Sequence, residues 1–107
     1  MSTSNTRKII DIINDHEKAN KKFFSFEYFP PKSEGGVKKL KERIDRMSKL
    51  GAQWMDVTWG AGGRTSDLTL ELCDYVQNTA KVTCFLHLTC TNMPKEKIDE
   101  ALQKAKV

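Results

Sequence analysis

Three stretches of the chain concentrate aromatic, β-branched and other apolar residues, at positions 23–29, 53–59 and 82–90, and each is predicted as a strand. Between them the apolar period changes from two to three or four. Val37, Leu40, Ile44, Met47 and Leu50 form one helical stripe, and Gly51 supplies its stop. A second helix is predicted from Ser66 or Asp67, either of which can cap it, with Leu68, Leu72, Tyr75, Val76 and Thr79 on one side. A third opens at Asn92-Met93-Pro94 and is expected to bury Ile98, Ala101, Leu102 and Ala105. Ahead of the first strand, Ile9, Ile10, Ile12 and Ile13 mark a polar N-terminal helix that can cover one end of a larger core.

Equivalent strand positions, Phe24, Trp54 and Thr83, recur about every 30 residues, the length of a βα unit. Such alternation predicts an α/β fold with a parallel sheet and right-handed crossovers, either doubly wound or closed into a barrel. A closed (β/α)8 barrel takes about 250 residues. This chain of 107 holds about three units, so it reads as the start of a larger domain. Residues 1–21 are assigned to a polar helical N-terminal extension and 22–107 to the incomplete α/β domain. Alone, such a unit is expected to leave a strand edge and apolar helix faces uncovered, and to be poorly stable.

With 38% hydrophobic and 30% charged residues, the composition is that of a globular domain. No apolar run is long enough to span a bilayer and no secretory signal pattern opens the chain, so a cytoplasmic location without a membrane partner is expected. Cys73, Cys84 and Cys90 make an odd count without CxxC spacing, which fits a reducing compartment. The net charge of +4 comes from basic residues spread over helix faces, with Glu42 and Asp45 interleaved among Lys38, Lys39, Lys41, Arg43, Arg46 and Lys49. That is a solvated helix surface, and no nucleic-acid partner is expected.

Candidate chemistry gathers at the strand ends. In FFSFEYFPP, alternation sets Phe24, Phe26 and Tyr28 on one face and Phe23, Ser25, Glu27 and Phe29 on the other, and Pro30-Pro31 ends the strand just beyond Glu27. Ligands bind at that end of parallel α/β sheets. An acid walled by aromatic rings is expected to hold its proton toward neutral pH, as a general acid does, although a structural ion pair is the alternative. The second strand puts Trp54, Asp56 and Thr58 on one face; Asp56 reads as a second acid or as a hydrogen-bonded structural residue. The GAGG that follows is a phosphate cradle or a flexible active-site loop, and it lacks the P-loop and dinucleotide signatures. In TCFLHLTC, His87 faces away from Cys84 and Cys90, so no metal site is expected; His87 is a ligand donor or a packed histidine. His16 is expected to be solvated.

The stretches FFSFEYFPPK, DVTWGAGG and HLTC, in this order and spacing, resemble the catalytic domain of methylenetetrahydrofolate reductase over about four-fifths of the chain. The resemblance implies the barrel rather than the doubly wound sheet, with FAD as cofactor and NAD(P)H as electron donor. It implies reduction of 5,10-methylenetetrahydrofolate to 5-methyltetrahydrofolate in one-carbon metabolism and methionine synthesis. Glu27 then falls on the catalytic acid that protonates the folate ring nitrogen. NAD(P)H contacts fall on Glu27, Tyr28, Phe29, Pro30, Pro31 and Lys32, and FAD contacts on Thr58, Trp59 and His87. Lys32 replaces the arginine of many relatives and Tyr28 a phenylalanine; lysine cannot reproduce a bidentate contact. The partners implied are the folate, the nicotinamide nucleotide and further copies of the full-length protein. Two other functions compete: a non-catalytic truncated product or interaction module, and a different barrel enzyme taking a phosphorylated metabolite.

Overall fold

A computed structural model describes residues 7–60 and 66–106. The elements run α1 (Ile9–Lys18), β1 (Ser25–Tyr28), α2 (Glu34–Met47), β2 (Trp54–Thr58), α3 (Ser66–Asp74), β3 (Thr83–His87) and α4 (Lys95–Lys106). The strands form one parallel sheet in the order β1-β2-β3, with Ser25 opposite Trp54 and Trp54 opposite Thr83. Consecutive strands side by side, each pair joined by a helix, are the first three units of the (β/α)8 barrel.

One sheet face carries the core. Tyr28, Met55 and Val57 from the strands meet Leu40 and Ile44 of α2 and Leu72, Cys73 and Val76 from α3 and the turn after it. Cys84 and Leu86 pack against this cluster from β3. The opposite face carries Glu27, Asp56, Thr58, Phe85 and His87. At its N-terminal end Phe23 stacks on Trp54 with ring centroids 5.6 Å apart, and His16 of α1 meets Phe23 edge-on at 5.7 Å. α1 therefore lies across the lower end of the strands, with Ile12 buried. His16 is not simply solvated: its Nδ1 lies 2.8 Å from the Ile12 carbonyl oxygen.

Element ends differ from the sequence expectations for local reasons. α2 starts three residues early because Ser33 caps it, its hydroxyl accepting the Gly36 N–H at 3.0 Å. After Met47 the helix tightens to a 3-10 turn over Ser48–Leu50, which carries Leu50 off the stripe and leaves it 62% exposed. Gly51 ends this turn at φ 89°, as expected of a left-handed stop. α3 widens into a π turn over Tyr75–Thr79, so Val76 and Gln77 are buried while Thr79 faces out. The rotated Gln77 side chain accepts the Cys84 N–H at 2.9 Å. In α4, Ala101 is buried, whereas Leu102 is exposed. No helix among the described residues is long and apolar enough to cross a membrane.

Candidate functional site

The register places Glu27 directly opposite Asp56, and His87 opposite Thr58 two residues further along. All three side chains project from the same face, so the imidazole of His87 stands between two carboxylates. Its Nδ1 lies 3.3 Å from Glu27 Oε1 and its Nε2 3.6 Å from Asp56 Oδ2. Phe85 braces the ring edge-on at 5.1 Å.

The aromatic wall expected around Glu27 is absent. Phe24 and Phe26 pack against each other on the other face, Tyr28 lies in the core, and Phe29 is 70% exposed. The Glu27 side chain is consequently 46% exposed. Burial acts on Asp56 instead, whose side chain is 18% exposed. Desolvation raises the Asp56 pKa above the usual carboxylate value; His87 opposes the shift, the Glu27 carboxylate adds to it, and a hydrogen bond with the Trp54 side chain lowers it. Asp56 Oδ1 is buried without a hydrogen-bond partner among the described residues.

Past the strand ends, Phe29, Pro30, Pro31 and Lys32 face Thr58, Trp59 and Gly60 across an open cleft of about 730 Å³. The segments assigned to the nicotinamide and to the flavin thus share one cleft. The buried indole Nε1 of Trp59, a residue that lines the cleft, has no hydrogen-bond partner among the described residues. Tyr28 is not brought into this cleft: its hydroxyl donates to Met47 Sδ at 3.3 Å inside the core, and burial pushes its pKa up. The GAGG loop beyond Gly60 lies outside the described residues.

Two features of the site escape a reading by strand alternation alone. One is the close approach of Gly36 to Pro31, where an added Cβ would sit 2.9 Å from Pro31 Cβ. The paired glycines in the first turn of α2 were its only signal. The other is the Asp56–His87 contact, which needs the register as well as the alternation. Cys84 packs, partly buried, against the helix-side core, and the neighbouring Cys73 thiol together with desolvation pushes its own thiol up in pKa. His87 occupies the other face, and no group of three His, Cys, Asp or Glu side chains among the described residues is placed to hold a metal.

The family model described as methylenetetrahydrofolate reductase matches residues 12–107. The chain belongs to the methylenetetrahydrofolate reductase family. It is 54% identical over 99 residues to methylenetetrahydrofolate reductase (NADH) 1 of Zea mays, covering 92% of this chain and 17% of that protein. The same name in Arabidopsis thaliana stands at 52% over 96 residues, 90% of this chain and 16% of the relative. A probable methylenetetrahydrofolate reductase (NADPH) of Caenorhabditis elegans is 32% identical, covering 78% of this chain and 13% of its own length. The chain therefore spans about a sixth of the length of the plant methylenetetrahydrofolate reductases it matches.

Proposed function

We propose that this segment supplies the acid-bearing part of the catalytic barrel of a flavin-dependent reductase. The reaction is conversion of 5,10-methylenetetrahydrofolate to 5-methyltetrahydrofolate with a nicotinamide donor. The observation that carries the reading is Glu27 at the C-terminal end of β1, beside His87 and next to the cleft, in a chain of this family.

The residues fit a flavin. A wall of Phe29, Pro30 and Pro31, with a buried indole N–H at Trp59 that has no partner among the described residues, suits a large planar ring that carries hydrogen-bond acceptors. Thr58, Trp59 and His87 would hold it, and Lys32 with the neighbouring prolines would receive the nicotinamide nucleotide. When bound, the flavin supplies hydride transfer between the nicotinamide and the folate.

The chain's own residues supply binding and the proton. Glu27, protonated, gives its proton to the folate ring nitrogen; the imidazolidine ring opens and the methylene carbon becomes an iminium able to accept hydride. Its place at the C-terminal end of β1 sets Glu27 at the end of the barrel where ligands bind. NADH is the donor favoured by similarity, since three relatives named for NADH are 52–54% identical and a relative named for NADPH is 32% identical. Free cysteines at 73, 84 and 90 support the cytoplasm as its compartment.

The test is a chimera in which residues 12–107 replace the matching segment of the Zea mays relative. It should form methyl-folate faster with NADH than with NADPH. A folded, flavin-loaded chimera that forms none with either donor refutes the proposal.

A further inference from the structure

We infer that Asp56 is a positioning residue for Glu27, acting through His87. The inference rests on the reading of Glu27 as the acid of this site. A glutamate side chain has several rotamers, and confining it costs about 1–2 kcal/mol of side-chain entropy. Among the described residues its ion-pair contact is with His87. The imidazole, in turn, is fixed from three sides: by the Phe85 ring, by Glu27 and by Asp56. Of the two carboxylates, Asp56 is shorter, on the central strand and more buried, so it is the stiff end of the chain of contacts.

A stabilising role for Asp56 fits poorly. One of its oxygens is buried without a partner among the described residues, and the like charge of Glu27 sits directly across the ladder. Both features cost stability. The arrangement makes sense if the carboxylate sets the imidazole plane and the imidazole sets the carboxyl of Glu27. The charged and titratable groups on this face come from each strand in turn: Glu27 from β1, Asp56 from β2 and His87 from β3. Preorganisation of this kind matters because a shift of about 1 Å at a reacting group can cost about 100-fold in rate.

The experiment reads the 107-residue chain by side-chain NMR. Three-bond couplings along the Glu27 methylenes report its rotamers, and ring ¹⁵N shifts report His87, with His16 as internal reference. In the wild type Glu27 should hold one rotamer; in Asp56→Asn the couplings should average and the His87 ring shifts should change, while His16 stays put. His87→Gln should release Glu27 to the same extent. Glu27 couplings that are unchanged in either folded variant overturn the inference. Should the variants lose their folded spectrum, the chimera decides. There Asp56→Asn should lower kcat about 10- to 100-fold with the folate KM unchanged. An unchanged kcat overturns the inference. A wild-type chimera without activity would instead remove the Glu27 reading, and the NMR couplings would still test the positioning.

Discussion

Thr69, wholly buried in α3, donates its hydroxyl hydrogen to the Thr58 carbonyl oxygen at 3.1 Å. The contact ties the first turns of the helix to the C-terminal end of β2, where the cleft opens. Thr69→Val keeps the shape and removes the donor. A loss of about 1–2 kcal/mol is expected, read as a lower urea midpoint with an unchanged slope.

The helix-side core sets the larger energies. Ile44→Ala, at a side chain with no exposed surface, should cost about 2–5 kcal/mol. Leu50→Ala should stay within about 0.5 kcal/mol of wild type, because that side chain left the stripe when the helix tightened. Equal losses at the two positions would contradict the described end of α2.

Gly36 lets the first turn of α2 press against the proline segment of the cleft. An alanine there must push Pro31, since its Cβ would come within 2.9 Å of Pro31 Cβ. Gly36→Ala in the chimera is therefore expected to raise the KM for the nicotinamide nucleotide several-fold, about 1 kcal/mol of binding, with flavin content unchanged. An unaltered KM would separate this segment from nucleotide binding.

Asp56 gives the fold a pH dependence of definite sign. Its folded-state pKa is raised from the usual 3.8, chiefly by burial. The folded form holds the proton more tightly than the unfolded one, so this contribution is complete below the ordinary value and is lost as pH rises through the raised one. Urea midpoints should fall across that window in the wild type and less so in Asp56→Asn. Glu27→Gln removes a like charge and should narrow the window, whereas His87→Gln removes the opposing partner and should widen it.

Much of this was legible in the sequence because periodicity reports burial directly. The alternation in FFSFEYFPP separated Tyr28 from Glu27, and the structure sends them to opposite faces. The stripe Val37, Leu40, Ile44 and Met47 located α2. Local chemistry moved the boundaries: the Ser33 cap, the 3-10 turn at Leu50 and the π turn that buries Gln77 each depend on contacts that a period cannot carry. The burial expected at Glu27 went to Asp56 because aromatic neighbours along a strand point away from the residue between them. Which acid is desolvated depends on which strands flank it, and that is a property of the sheet.

The central claim is that Glu27 gives the proton. In the chimera carrying residues 12–107, single-turnover kinetics should separate flavin reduction by the nicotinamide from methyl-folate formation. The account predicts that Glu27→Gln leaves the first within about twofold of wild type and lowers the second by about 100-fold or more, the scale of a lost general acid. Equal loss of both half-reactions, or retention of both, would contradict it.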